Sequence, residues 1–126
     1  MNSFIKYVFI VIGMIIIILT VSIANTADTV KGKKVFKKCV ACHSLEEGKN
    51  KMGPPLNNLL GRKAGSVEGY KYSKAMKNSS VVWNEESLDK FLTKPRKFIP
   101  KTKMSFRGIK KKSLRDDLIS FFKNNG

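Results

Sequence analysis

The sequence predicts an all-α domain in which three main helices and several shorter ones are joined by long irregular segments. The clearest evidence lies near the carboxyl terminus, where Leu114, Leu118, Phe121 and Phe122 fall at i, i+4, i+7 and i+8 and form one apolar helix face. No strong run of alternating apolar and polar residues predicts a strand. Glycine and proline recur throughout residues 44–69, which we therefore expect to be loop with short turns.

The first and last helices of this domain are predicted from apolar spacing and from their ends. Ahead of the cysteines, apolar residues near helical spacing predict a helix that runs up to the cysteine pair; they are Val30, Val35, Phe36 and Val40. Ser113 and Asp116 have the spacing of a capping box, so we expect them to begin the last helix.

Two further helices are predicted in the middle of the chain. A short helix over residues 72–78 has Ser73 in position to cap it. Asn84 is expected to cap a longer helix that has two acidic residues in its first turn and an apolar face of Leu88, Phe91 and Leu92. We expect Pro95 to end that helix, because proline lacks the backbone N–H that a continuing helix needs.

Residues 1–24 are typical of a targeting segment, and residues 25–126 form one domain with no internal repeat or linker. Lys6 precedes an apolar run over residues 7–19, and the small residues at 22–24 provide a cleavage signal. If the segment is retained, residues 7–24 would form a membrane anchor of roughly 27 Å, barely the thickness of the hydrocarbon. Cleaved or retained, it places the domain outside the cytoplasm, which in a bacterium is the periplasm.

The charge of the domain predicts anionic partners. Residues 25–126 contain 24 Lys and Arg against 9 Asp and Glu, so their formal net charge is 24 minus 9, or +15. Nucleic acid is one anion that such a surface attracts, but an exported protein instead meets acidic proteins or anionic lipids. We therefore expect no nucleic-acid partner, and acidic proteins or anionic lipid headgroups as the alternatives. The domain is expected to be a monomer.

Cys39, Cys42 and His43 form the motif that indicates a cofactor. Two thiols separated by two residues and followed at once by an imidazole are the attachment site of a c-type haem. The thiols can bind the porphyrin vinyl groups, and the imidazole can bind the iron. The sequence contains only these two cysteines and this one histidine, so one covalently attached haem is predicted.

A second iron ligand would have to be another residue type, and methionine is the leading candidate. Met52, Met76 and Met104 lie outside the leader. Met104 is favoured because residues 99–106 form a non-helical strap between two predicted helices, which could carry a thioether across the far face of the haem. The residues alone leave all three candidates open, since methionine is also a common core residue.

Several separated motifs resemble class I cytochromes c, both the mitochondrial type and the bacterial cytochromes c2. The similarity runs from about Gly32 to the carboxyl terminus, and its motifs occur in the family's order: residues 53–65, Tyr72 with Ser73, Trp83, and residues 99–104. This resemblance implies the cytochrome c fold, in which helices and loops wrap around one covalently bound haem.

The resemblance also implies roles for individual residues. Cys39 and Cys42 would form the thioethers, His43 and Met104 would be the axial ligands, and the Pro54 carbonyl would accept the second imidazole proton. Four residues match positions that hydrogen-bond, directly or through water, to a buried haem propionate: Arg62, Tyr72, Ser73 and Trp83. Phe106 matches an aromatic residue at the haem edge, and Gly32 and Phe36 match a contact of the first helix with Leu118 and Phe121.

Three positions depart from the family's pattern. Lys101 replaces the usual glycine after the proline of the strap, which leaves the turn there undefined. Phe91 and Met76 replace a tyrosine and an asparagine near the iron, and both changes remove polar groups. We expect a reduction potential that differs from that of a typical member.

The implied function is one-electron transfer by a carrier that is not an enzyme, because two protein ligands leave the iron no site for a substrate. The implied partners are a quinol:cytochrome c oxidoreductase of the bc1 type as donor and a terminal cytochrome oxidase as acceptor, with a photosynthetic reaction centre as a less favoured context. The basic residues that match or neighbour docking positions are Lys38, Lys51, Arg96, Lys97, Lys103 and Lys110 to Lys112.

Three other classes use parts of the same motif. A haem peroxidase or gas sensor would need an open sixth position at the iron, which Met104 would block. A thiol-disulfide oxidoreductase also uses two cysteines spaced by two residues, but it would need a βαβ context and leaves His43 unexplained. A structural zinc site would lack its fourth strong ligand.

Overall fold

A computed structural model describes the backbone of residues 2–125 and the side chains of residues 2–11 and 29–125. Five helices follow in chain order: α1 Ser3–Phe36, α2 Lys74–Lys77, α3 Glu85–Thr93, α4 Pro95–Phe98 and α5 Lys112–Asn124. In this part of the chain there is no strand, only an isolated antiparallel bridge between Lys63 and Val82. The predicted all-α class is therefore confirmed.

The first and last helices pack closely against each other, as the resemblance to class I cytochromes c implies. Gly32 of α1 lies directly against the Asp117 carbonyl and Phe121 of α5, where any side chain on Gly32 would collide. One turn further, the Phe36 ring stacks on Phe121 with ring centroids 5.3 Å apart and meets the edge of Phe122 at 6.0 Å. This crossing closes the end of the core next to the cysteine motif.

Helix α1 ends at Phe36, three residues before the cysteine pair that it was predicted to reach. The Cys39 N–H donates to the Phe36 carbonyl at 2.8 Å, and the His43 N–H donates to the Cys39 carbonyl at 2.9 Å. These bonds make a series of tight turns over residues 37–42. The cysteine motif therefore lies in the turns that follow α1 and is not part of the helix.

The targeting-segment predictions lie mainly outside the described side chains. Only residues 2–11 of the leader have described side chains, so the cleavage signal at residues 22–24 is not among them. Where side chains are described, no helix is both long and apolar enough to cross a membrane. The division at residue 24 stays a prediction.

Helices α2 and α3 begin at the predicted caps. The Ser73 hydroxyl accepts a hydrogen bond from the Met76 N–H at 3.1 Å, and the Asn84 carboxamide oxygen accepts one from the Ser87 N–H at 2.8 Å. The Ser87 hydroxyl returns the bond by accepting from the Asn84 N–H at 2.9 Å. Pro95 does end α3, but it also begins the short helix α4, because its missing N–H is not needed in a first turn.

The predicted capping box at the start of α5 is wrong. The helix begins at Lys112, with Lys111 as a cap that makes no side-chain hydrogen bond, so Ser113 already lies inside the first turn. The Asp116 carboxylate instead accepts two bonds from Lys112, at 2.7 and 2.9 Å. The apolar face is as predicted, since Leu118, Phe121 and Phe122 are buried in the core.

Candidate haem site

The core surrounds a cavity of about 550 Å³, within the range of pockets that enclose a large organic ligand. Its wall is formed by both cysteines, by His43 and by residues from the central loop, α2, α3, the strap and α5. The predicted site residues that line it are Cys39, Cys42, His43, Pro54, Arg62, Tyr72, Ser73, Trp83 and Met104. The fold therefore brings every one of them to a single, mostly apolar cavity.

Both cysteines are half-buried in the wall of the cavity, and no disulfide joins them. Burial raises the pKa of the Cys39 thiol to about 11; neighbouring Cys42 acts in the same direction, and Lys38 acts against it. Cysteines that exchange disulfides instead have a lowered pKa and an exposed thiolate. This environment favours a structural attachment site over a thiol-disulfide oxidoreductase.

His43 is held with one nitrogen occupied and the other free. Its Nδ1 donates to the Pro54 carbonyl at 2.7 Å, and since a carbonyl only accepts, the proton of the neutral ring lies on Nδ1. Burial lowers the pKa of His43; Lys51 and Arg62 lower it further, and only the bond to Pro54 opposes them. The lowered pKa favours the neutral ring, and the bond to Pro54 leaves the lone pair on Nε2, which is the form that binds iron.

The backbone at Gly53 passes against this imidazole. A Cβ on Gly53 would lie 2.6 Å from His43 Nδ1, so only glycine allows the loop this close. The Gly53 N–H also donates to the Cys42 carbonyl at 2.8 Å, which ties the loop to the cysteine motif. Together with the bond to Pro54, these contacts fix the plane of the ring.

All three candidate methionines border the cavity, but in different settings. Met52 is 75% exposed and adjoins Gly53, so it lies on the His43 side. Met76 is 9% exposed and belongs to α2, in the core. Met104 is half-buried in the strap. The arrangement favours Met104 as the ligand opposite His43, and this assignment stays a prediction.

The four residues predicted to surround a propionate differ in their contacts. Arg62 donates to the Asn57 carbonyl at 2.9 Å and to the Pro55 carbonyl at 2.8 Å, so it also braces the central loop. Tyr72 accepts from the Val67 N–H at 3.3 Å. Burial lowers the pKa of Arg62, and a carboxylate placed beside it would stabilise its charge. Their contact with a propionate stays a prediction.

Two residues that line the cavity were missed by the sequence analysis. Thr102 is 7% exposed, and its hydroxyl accepts from the Met104 N–H at 3.4 Å. Tyr70 donates its hydroxyl to the Met52 carbonyl and packs edge-on against Tyr72, with centroids 4.8 Å apart. The threonine two residues before Met104 could have been predicted to form a local turn, because serine and threonine hydroxyls often bind a nearby backbone N–H. The bond from Tyr70 to Met52, eighteen residues away, could not have been predicted from a local pattern.

The departures from the family's pattern have structural consequences. Lys101 keeps a positive φ of 65°, and the Thr102 N–H donates to the Ile99 carbonyl at 3.2 Å, which together define a type II turn with Pro100 at its second position. The strap thus retains a turn suited to glycine, with a strained lysine in it. Phe91 packs on Trp83 with centroids 5.0 Å apart, so it adds an apolar wall.

Replacing Lys101 with glycine is expected to raise the free energy of unfolding by about 1 kcal/mol, because glycine adopts this conformation without steric cost. Urea unfolding of the haem-bearing protein measures the change. Lys101→Ala is the matched control, since it shortens the side chain but keeps the Cβ and should give no gain. Equal stabilisation by both variants would show that the side chain, and not the backbone, is responsible.

The residues present fit a covalently attached c-type haem. Two thiols, an imidazole fixed in orientation and a thioether border one mostly apolar cavity, and the half-buried Arg62 guanidinium lines the same cavity. Among the described residues, no group of three or more His, Cys, Asp or Glu could hold a metal ion by itself. The donors that border the cavity suit a haem.

Comparison with known proteins gives the same answer. Residues 29–125 match the family model for cytochrome c. The chain is 43% identical over 114 residues to cytochrome c2 of Blastochloris viridis, covering 90% of each chain. It is 48% identical over 100 residues to cytochrome c of Gibberella zeae, covering 78% of this chain and 94% of the relative.

A solved structure of a relative shows the same fold. Cytochrome cH from Methylobacterium extorquens superposes with a TM-score of 0.72 at 39% identity, over 76% of this chain and 97% of its own. The residues that match the cytochrome c family model include Cys39 and Cys42, which have the spacing that attaches a c-type haem. This chain therefore belongs to the cytochrome c family, as a class I member that carries electrons on one covalently bound c-type haem.

Proposed function

We propose that this protein shuttles electrons from a bc1-type quinol:cytochrome c oxidoreductase to a terminal cytochrome oxidase in a bacterial respiratory chain, and that it is not an enzyme. The observation that carries the proposal is that one cavity is bordered both by His43, which follows the turns after α1, and by Met104 of the strap. When bound there, the haem supplies one-electron chemistry, cycling between Fe(II) and Fe(III).

The chain's own residues suit a carrier. His43 is fixed by Pro54 and Gly53, so the imidazole need not turn when the charge of the site changes. The apolar wall that includes Phe91 and Trp83 excludes water, which keeps reorganisation small. The strap would place the Met104 thioether over the remaining side, leaving no room for a substrate. These features favour electron transfer over peroxidase or gas-sensing chemistry.

The distribution of charge suits docking on acidic partners. Lys38 and Lys103 border the cavity, and Lys51 lies beside it with its ammonium bonded to the Val40 carbonyl. On α3 and α5, by contrast, acidic side chains are paired with bases: Glu86 with Lys90, Asp116 with Lys112, and Glu85 with Lys123. Lys112, one of the predicted docking residues, is thus already engaged. None of the ion pairs in the described chain involves Lys38, Lys51 or Lys103, so the positive charge of these three lysines is not compensated.

Location and assembly follow from the same proposal. The similarity to bacterial cytochromes c2 supports a site of action in the periplasm, with residues 1–24 either removed or retained as an anchor in the inner membrane. A monomer suits a carrier that must meet two partners in turn with one docking surface. A photosynthetic reaction centre remains the alternative partner, since the same surface would serve it.

Oxidation of the ferrous protein by bacterial membranes that contain cytochrome oxidase tests this function. The second-order rate should fall steeply as salt rises, because the Debye length shortens from about 30 Å at 0.01 M to about 8 Å at 0.15 M. Lys97→Gln should lower the rate about threefold at low salt and flatten the salt dependence. Lys123→Gln, which removes the same charge from a pair with Glu85, is the control. A rate independent of salt would count against the lysine docking surface.

A further inference from the structure

The ion pair between Arg115 of α5 and Asp89 of α3 differs from the others in the described chain. Arg115 Nε donates to Asp89 Oδ1 at 2.7 Å and Nη2 to Oδ2 at 3.5 Å, with side-chain exposures of 8% for Arg115 and 29% for Asp89. The four other described ion pairs have both side chains at least 50% exposed. An exposed pair contributes little, whereas breaking a buried pair leaves a charge without a partner.

The rest of the Arg115 guanidinium binds the chain that follows the strap. Its Nη1 donates to the Ile109 carbonyl at 2.8 Å and to the Lys110 carbonyl at 2.9 Å. The Ile109 N–H in turn donates to the Leu92 carbonyl of α3 at 2.8 Å. Residues 109–110 are therefore hydrogen-bonded to both α3 and α5. Arg115 links these bonds, because it also pairs with Asp89 of α3.

The two ends of the strap are secured unequally. Upstream, the Ile99–Thr102 turn contains a lysine at positive φ, which is a strained conformation. Downstream, Ile109 is 5% exposed and fixed by the Arg115 and Leu92 bonds. Only four residues lie between Met104 and Ile109, so movement at Ile109 displaces Met104.

We propose that Arg115 and Asp89 are positioning residues that keep the Met104 strap closed over the site. The proposal rests on the proposed function, because it takes Met104 as the iron ligand. Asp89 supplies the counter-charge that keeps the guanidinium buried, and the guanidinium holds the two carbonyls. Without the carboxylate, Arg115 turns toward solvent, residues 109–110 are released, and the strap opens from its downstream end.

The rate of cyanide binding to the ferric, haem-bearing full chain tests this proposal, since cyanide enters only when Met104 leaves the iron. Asp89→Asn, which is nearly isosteric, should raise that rate about tenfold and weaken the methionine-to-iron charge-transfer band. Arg115→Lys should also raise the rate, because one ammonium cannot replace all four bonds of the guanidinium. The control is Asp116→Asn, which removes the same charge from the exposed pair with Lys112 and should leave the rate within about twofold.

Urea unfolding of the same variants separates positioning from general stability. The proposal requires cyanide binding to change in Asp89→Asn even in buffer where both proteins are fully folded. A variant that loses stability but binds cyanide at the wild-type rate would show a purely structural ion pair and overturn it. If the wild-type protein itself lacks the charge-transfer band, the Met104 ligand assumed in the proposed function is wrong and both proposals are refuted. A wild-type band together with unchanged cyanide binding in the variants would refute only the positioning role of Arg115 and Asp89.

Discussion

Replacing Gly32 with alanine is expected to destabilise the protein by at least about 3 kcal/mol, at the upper end of the cost of overpacking a core. A Cβ at this position would lie 2.5 Å from Phe121 Cβ and even closer to the Asp117 carbonyl oxygen. Neither group is the end of a flexible side chain, so the two helices must move apart. Separation would also weaken the stacking of Phe36 on Phe121.

The direction of the change in the free energy of unfolding distinguishes a collision at Gly32 from the ordinary helix preference for alanine. In an exposed helix, alanine is more favourable than glycine by about 1 kcal/mol, so without the collision Gly32→Ala would stabilise α1. Lys33→Ala, one residue along the exposed side of the same helix, is the control and should change the free energy of unfolding by less than about 0.5 kcal/mol. Thermal or urea unfolding measures both, and a stabilised Gly32→Ala would refute the close crossing of α1 and α5.

Replacing Met104 with alanine is expected to convert the closed site into one that binds ligands. Carbon monoxide binds the ferrous protein only through the fraction of molecules in which the sixth position is free, so the apparent rate should rise about 100-fold or more. The methionine-to-iron charge-transfer band of the ferric protein should disappear. The reduction potential should also fall, because a methionine ligand raises it.

The two other methionines provide matched controls for that experiment. Met52→Ala removes a thioether that is 75% exposed, and Met76→Ala removes one that is buried in the core. Neither should speed carbon monoxide binding, although Met76→Ala should cost about 2 kcal/mol or more in stability. Loss of the charge-transfer band in Met76→Ala but not in Met104→Ala would reassign the ligand. Rapid binding by the unaltered protein would instead support a gas-binding function.

Local patterns predicted most of the helical structure correctly. The caps at Ser73 and Asn84 and the apolar faces of α3 and α5 depend on residues within one or two turns of each other, so the sequence contains the whole interaction. The error at the start of α5 has the same scale. Ser113 and Asp116 have the spacing of a capping box, but Lys112 binds the Asp116 carboxylate and the helix begins two residues earlier than a cap at Ser113 would place it.

The haem-attachment motif was equally readable, because thiols and imidazole lie within five consecutive residues and the sequence contains no competing histidine or cysteine. The identity of the cofactor therefore followed from composition and spacing alone. The orientation of His43 did not, since it depends on the Pro54 carbonyl eleven residues away and on a backbone that fits only at Gly53. The resemblance to class I cytochromes c predicted the first of these contacts.

Long-range contacts account for what local patterns could not predict. The turn at Lys101 was left undefined by a lysine in a glycine position, and only the path of the strap shows that positive φ is kept. Arg115 binds Asp89, 26 positions away, and the Ile109 carbonyl, 6 positions away, and no local pattern predicts these bonds. Composition and spacing thus predicted the cofactor and most of the helices. Burial and hydrogen bonds between distant segments determine the geometry that would hold the site closed.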